Sequence, residues 1–271
     1  MGRYDDQTKS LLYIHPGTQP IVYHPGSSKY VGQRLGVTSR FIYDLPWQEY
    51  QELIDSGKID IAWICGLPSV IRADRGHPDV ELLAAPVMAG ERYNDQPIYF
   101  SDVIVREERA YRAFDDLRGS TWAYNEPRSQ SGYNITRYHL ARIDAPSPFF
   151  KRVVEAGSHE RAIQLVMEGS VDAAAIDSTV LEVARERDPT IEKHTRVLAT
   201  LGPSPIPPLV ISKQLDEGLR STVKTWILEM HRDDLGRQIL DRAKIRRFDS
   251  VGDTDYDPIR DMARIALDVS L

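Results

Sequence analysis

At 271 residues, with 41% hydrophobic and 27% charged side chains, the chain has the length for about two well-buried domains and an ordinary soluble composition. A net charge of −6 excludes the basic footprint of a general nucleic-acid binder, and the lone Cys65 excludes an internal disulfide and a cysteine-rich zinc cluster. No apolar run approaches the ~18 residues that span a membrane, so no membrane insertion is expected, and no H-E-x-x-H spacing marks a metal site.

The predicted elements alternate between short apolar runs and amphipathic segments, the pattern of α/β layering. "SLLYI" (10–14) reads as a strand after the polar start "MGRYDDQTK", where no basic region precedes an apolar one. As it stands, that start predicts a cytoplasmic protein, and a periplasmic one if a leader has been removed. In "PWQEYQELIDSG" (46–57), Trp47, Tyr50, Leu53 and Ile54 share one face at helical spacing, and Gly57 closes the helix. "IDIAWICG" (59–66) is a buried strand ending at Gly66. "ELLAAPVM" (81–88) and "YFSDVIVR" (99–106) are further strands, and "AFDDLRG" (113–119) is a short helix ahead of the strand "STWAY" (120–124).

A helical pattern then runs from Ser129 to Ile143 through Ile135, Tyr138 and Leu140. "GSHERAIQLVMEG" (157–169) is a helix capped by Ser158 and stopped by Gly169. The strand "SVDAAAIDS" (170–178) leads into the helix "TVLEVARERD" (179–188). "RVLAT" (196–200) and "PPLVIS" (207–212) flank a proline-rich turn, and a long helix covers 215–231. The tail "DYDPIRDMARIALDVSL" is an amphipathic helix expected to pack on its own lobe. Neither G-x-G-x-x-G nor G-x-x-x-x-G-K occurs, so the usual nucleotide cradles are absent.

Between the strand at 120–124 and the next helix lies "NEPRSQSG" (125–132). It reads either as an ordinary capped helix start or as a cradle for an anion. A helix N-terminus leaves backbone N–H groups without intrahelical partners and carries the positive end of the dipole. Ser129 and Ser131 add hydroxyls there, Gln130 an amide, and Gly132 a bare backbone. "GSHE" (157–160), with Ser158 and His159, and "IDS" (176–178), with Asp177, are two more polar strand-to-helix turns. Each alone reads as a cap. Together they predict one site, because ligands of open α/β sheets gather beyond the carboxyl ends of strands. Gly66, at the end of its own strand, joins the candidate set.

The order and wording of these segments resemble the substrate-binding proteins of phosphonate, phosphite and phosphate ABC transporters, a branch of the periplasmic-binding-protein superfamily. The resemblance covers most of the chain, through "GKIDIAWICGLPSV" (57–70), "PIYFSDVIVR" (97–106), "FDDLRGSTWAYNEPRSQSG" (114–132) and "FFKRVVEAGSHERAIQLVMEGSVDAAAIDS" (149–178). It resumes at "SPIPP" (204–208), "DDLGRQIL" (233–240) and "DYDPIRDM" (255–262). It implies a bilobal α/β fold: 1–98 plus 206–271 as one lobe, 99–205 as the other, two crossover strands between them, and the ligand in the cleft. It places the oxyanion on Ser129, Gln130 and Ser131, with His159 (or Ser158) beside it and Trp47 and Tyr99 as aromatic walls. Positions where aminophosphonate-binding members carry acids are here Thr179, Pro208 and Leu209, while Asp177 stays as a polar contact.

The function expected is therefore non-catalytic capture of a small oxyanion, without cofactor or metal, by a monomer. If exported, it would dock on ABC-transporter membrane subunits. The alternative is a cytosolic enzyme or ligand sensor on the same fold, acting on a small anionic metabolite through His159 with Asp177, or through Cys65. A metal-binding relative using paired tyrosines is a third reading, but the spacing of Tyr93, Tyr99 and Tyr133 does not favour metal.

Overall fold

The computed structural model describes residues 11–13, 25–42, 45–76 and 79–271. In chain order its strands are β1 (Leu11–Tyr13), β2 (Arg40–Ile42), β3 (Ile61–Trp63), β4 (Val80–Met88), β5 (Ile98–Arg106) and β6 (Thr121–Tyr124). They continue with β7 (Arg152–Glu155), β8 (Ala173–Asp177), β9 (Thr195–Pro205), β10 (Leu209–Ser212) and β11 (Ile245–Asp249). The helices are α1 (Pro25–Leu35), α2 (Trp47–Asp55), α3 (Gly66–Asp74), α4 (Ile135–Arg142) and α5 (His159–Met167). After them come α6 (Ser178–Arg187), α7 (Thr190–His194), α8 (Glu217–Glu229), α9 (Asp234–Arg242) and α10 (Asp257–Ile265).

The strands sort into two sheets, of order β11-β4-β10-β3-β1-β2 and β7-β6-β8-β5-β9. β1 runs parallel to β2 and β3, and β6 parallel to β7 and β8. These parallel units are connected through helices, which puts helix starts at the carboxyl ends of their strands. The chain leaves the first sheet after Met88, enters the second at Ile98, and returns between Pro205 and Leu209. The two crossing strands pair antiparallel from Ile98↔Pro205 to Arg106↔Thr195. This is the α/β layering that the order of elements predicts and the bilobal architecture that the resemblance implies.

Each sheet is held by its own apolar contacts. On the first, Val223 and Ile227 of α8 and the following Met230 pack with Trp63, Leu83 and Phe248. In the second, Trp122 stacks on Phe150 at 4.7 Å and sits beside Phe114, covering one face. The other face packs Ala174 and Ile176 of β8 under Ala162, Ile163 and Val166 of α5 and Leu181 of α6. Burial of each Val, Leu or Ile side chain contributes about 1.5–3 kcal/mol, so these layers fix where α5 and α6 begin.

Three segments differ from the sequence reading. The proline-rich stretch after Thr200 does not turn away; β9 continues through Pro205. It does so as the edge strand, where proline's missing N–H leaves no gap in a ladder. "GLPSVIRAD" (66–74) is a helix that the sequence reading did not assign, with Gly66 its first residue rather than the last of a strand. Its Pro68 sits in the first turn, where the amide would have no intrahelical partner. The tail spans both sheets instead of packing on one. Ile259 joins Leu67, Val70 and Tyr256, while Met262, Val269 and Leu271 pack on the second sheet's aromatic core. Arg137 of α4 ties it down, donating to the carbonyls of Val269 (2.6 Å), Ala266 (2.5 Å) and Leu267 (3.1 Å).

Candidate functional site

β6 ends at Tyr124, and the chain turns through Asn125–Arg128 into Ser129, whose extended backbone opens the next helix. The Ser129 hydroxyl accepts from the Gly132 N–H at 3.0 Å, which makes it the cap. Asn134 N–H donates to the Ser129 carbonyl at 2.9 Å, five residues back, so Gln130–Asn134 forms one wide π-turn before α4. Such widened turns store strain and recur at functional sites. Gly132 is required by proximity: a Cβ there would fall 2.0 Å from Asn125 Oδ1.

The turn is wholly inside the protein; Ser129, Gln130, Ser131 and Asn134 are all at most 1% exposed. Ser131 Oγ lies 3.0 Å from His159 Nε2 and 3.4 Å from Ser129 Oγ. His159 opens α5 and is buried, while the preceding Ser158 is half-buried and spends its hydroxyl on the Arg161 N–H at 3.0 Å. Of the two alternatives at this turn, the buried one is the histidine. Burial pulls the imidazole down to about 3, so the ring is neutral at ordinary pH. Its Nδ1 has no partner.

Tyr99 comes from β5, the crossover, and is 1% exposed. Its hydroxyl lies beside Ser131 without completing a hydrogen bond, and burial holds its pKa well above the usual tyrosine value. Asp177 ends β8 and caps α6 with no exposed surface. Its Oδ1 accepts from the Thr179 N–H (2.8 Å) and hydroxyl (2.7 Å), while Oδ2 is unpaired; burial raises the carboxyl to about 7. The first sheet contributes Cys65, the residue before α3. Its sulfur accepts from the Gln130 N–H at 3.3 Å, and burial raises the thiol to about 12.

The helix starts of α3, the π-turn with α4, α5 and α6 thus meet around Ser131. Their four positive dipole ends favour a negative charge there. None of the contacts just named comes from a lysine or arginine side chain.

Other candidates fall differently. The Gln130 side chain is committed to the protein: Nε2 donates to Ser204 Oγ (3.2 Å) and Met262 Sδ (3.1 Å), and Oε1 accepts from Asn134 (2.8 Å). It joins the turn to the crossover strand β9 and to α10. Gly66 lets α3 approach the tail, since a Cβ would meet Ile259 Cδ1 at 2.3 Å. Trp47 opens α2, and its side chain lies outside the described residues. His159 and Asp177, the pair an enzyme would use, make no hydrogen bond to each other; the histidine bonds Ser131 and the aspartate Thr179. Cys65 is a protonated thiol held from solvent, the opposite of an activated nucleophile.

The sequence reading missed Glu126, which is 3% exposed, keeps Oε2 unpaired and is raised by burial to about 7. The available signal was an acidic residue just before the proline of the cradle turn. Asn134 and Ser204, the partners of Gln130, carried no signal of their own.

Comparison with known proteins gives this geometry its context. The family model for the periplasmic substrate-binding protein of phosphonate ABC transporters matches residues 27–256. A binding-protein component of an ABC phosphonate transporter from Pseudomonas aeruginosa superposes with a TM-score of 0.82 at 19% identity, covering 96% of this chain and 87% of that one. PhnD1 from Prochlorococcus marinus, solved with methylphosphonate, gives 0.81 at 20% identity, over 94% and 97%. A Xanthomonas citri protein solved with ATP gives 0.69 at 15% identity, over 96% and 98%. These likenesses show the shared fold.

Proposed function

Since the chain belongs to the family of periplasmic substrate-binding proteins of phosphonate ABC transporters, we propose that it captures a phosphonate, phosphite or phosphate-like oxyanion between its two lobes. Residues 1–98 with 206–271 serve as one lobe and 99–205 as the other. Ser129 and Ser131 hydroxyls, the His159 ring and the Tyr99 hydroxyl grip the oxyanion from the second lobe and the crossover. Cys65 and the start of α3 close over it from the first lobe.

The observation that carries this reading is the Ser129–Ser131 turn: fully buried at four converging helix starts, with the unpaired Tyr99 hydroxyl and His159 Nδ1 beside it. Buried polar atoms without partners cost about 1–3 kcal/mol each, and an oxyanion arriving there supplies them. Capture works by population shift: a ligand bridging both lobes favours the closed form over the open one. Lobe-to-lobe contacts such as Gln130–Cys65 and Lys244–Glu186 belong to that closed form. In the family's setting, the loaded form is presented to transporter membrane subunits. Among the described residues no helix is long and apolar enough to cross a membrane.

A thermal-shift panel of phosphonates, phosphite, phosphate, sulfonates and carboxylates tests the reading. An oxyanion at a hundred times its dissociation constant raises stability by about 2.7 kcal/mol. The doubly substituted Ser129→Ala, Ser131→Ala protein is expected to lose that shift. No shift with any oxyanion, or an undiminished one in the double variant, would overturn it.

A further inference from the structure

We propose that Asp177 shares one proton with the bound oxyanion, so that capture is proton-coupled and Asp177 sets the ionisation state in which the ligand is taken. The inference rests on the oxyanion reading above. Its ground is geometric. Oδ1 of Asp177 accepts from the two Thr179 donors and the Val180 N–H also favours the carboxylate, whereas Oδ2 is fully buried and completes no hydrogen bond. A carboxylate oxygen in that position is normally bonded to something.

The groups that face it offer no positive charge. Tyr99 on β5, Tyr93 after β4 and Cys65 before α3 all lie within its electrostatic reach, and burial keeps all three protonated and neutral. His159, across Ser131, is neutral as well. Glu182 on α6 adds a negative charge that is partly offset by Arg92 at 3.7 Å, and Glu126, which acts on Cys65 from the cradle turn, is a second buried carboxyl with Arg128 near it.

An oxyanion entering this buried centre would therefore meet Asp177 as like charge against like, with no cation bonded to Asp177 to absorb the repulsion. One proton between Oδ2 and a ligand oxygen removes the conflict and forms a charge-assisted O–H···O⁻ bond. It comes from solvent or from the ligand, and no other bond changes. With Asp177 raised by burial to about 7, the proton is held near neutrality, and a bound negative charge raises the group further. The sign follows: affinity is level below about pH 7 and falls about tenfold per pH unit above it.

Calorimetric titration with methylphosphonate from pH 6 to 9, in buffers of differing ionisation enthalpy, tests this on the wild type, Asp177→Asn and Glu126→Gln. The Asn variant keeps the cap to Thr179 and supplies an N–H where the proton stood. We expect uptake of about one proton and the falling limb in the wild type and in Glu126→Gln, and loss of both in Asp177→Asn. The ligand's own second ionisation is common to all three proteins and cancels in the comparison. The inference is overturned if Asp177→Asn keeps the wild-type slope, or if Glu126→Gln loses it instead. It is also overturned if 2-aminoethylphosphonate binds more than tenfold tighter than methylphosphonate and only the Asn variant loses that preference, since an ionised carboxylate would then be reading an ammonium. Binding with no pH slope sinks this inference alone. Failure of methylphosphonate, phosphite and phosphate to bind any of the proteins sinks the oxyanion reading with it.

Discussion

On the outer surface, Arg260 donates to Asp74, Asp253 and Asp257 at 2.7–2.8 Å, and Arg247 donates to Asp95 and Asp249. At the centre, Asp177, Glu126, Tyr99 and His159 each keep a buried polar atom without a hydrogen-bond partner, although Arg128 acts on Glu126. The two regions treat polarity in opposite ways. Exposed ion pairs contribute about 0–1 kcal/mol, because water already solvates both ends. An unpaired buried group costs about 1–3 kcal/mol, so the centre is held under a standing penalty that the apolar layers offset and that the proposed oxyanion would relieve. Substitutions should therefore act strongly on binding at the centre and weakly at the rim.

The largest effect is expected at Gly132. Gly132→Ala drives a methyl group into Asn125, which has no exposed surface and no room to retreat. The π-turn must open, which costs about 1–3 kcal/mol of stability and disperses the hydroxyls. Thermal unfolding should show the loss, and calorimetry should show no oxyanion binding; wild-type binding would mean that the turn is not the cradle. Next comes Ser131→Ala, which removes the hydroxyl lying between His159 and Tyr99. A hydrogen bond to a charged group contributes about 1.5–3 kcal/mol, so affinity should fall about 10- to 100-fold, while unfolding shifts by about 1–3 kcal/mol because His159 Nε2 loses its partner. An unaltered dissociation constant would place the ligand elsewhere.

How much of this centre was readable in advance follows from how local each feature is. Serine, serine and glycine at a strand-to-helix turn are a local signal, and the structure has a buried turn at "SQSG". The same holds for His159 and Asp177, each at the start of a helix whose cap and apolar face are written nearby. Gln130's commitment to Ser204 and Met262 was not readable, because those partners lie 74 and 132 residues away. Glu126 was passed over for a related reason: composition says that glutamate is solvated, and only tertiary closure makes it 3% exposed. α3 was hidden by Gly66 and Pro68, two residues that usually end helices and here begin one. The tail's amphipathic face was read correctly as buried, but periodicity does not say against which sheet.

An intermediate effect concerns stability alone and isolates Asp177 without ligand. An acid whose pKa is raised on folding, here from the usual aspartate range to about 7, binds its proton more tightly in the folded protein. It therefore stabilises the fold at low pH and loses that contribution as pH rises through about 7. Asp177→Asn should match the wild type near pH 4 and exceed it above pH 7. Urea unfolding at pH 4 to 8.5 reads the difference. His159 works in the reverse sense, losing stability as pH falls below its unfolded value, but that term is common to both proteins and drops out. Equal curves would show that water or a partner satisfies Oδ2 in the free protein.

The smallest effect is expected at Arg260→Gln. Its three aspartate partners are more than half exposed, at 56–63%, so the removed attractions are screened by water and salt. Unfolding should shift by less than about 1 kcal/mol, and less still as ionic strength rises. Oxyanion affinity should not change. This last clause carries the weight, because α10 holds Arg260 on its outer side and Met262, a partner of Gln130, on its inner side. If α10 only covers the site, loosening its outer ion pairs leaves the cradle untouched. If Arg260→Gln weakens oxyanion binding several-fold while stability holds, α10 is passing strain through Met262 to Gln130. Rim and centre would then be one mechanical unit rather than two regions with separate physics.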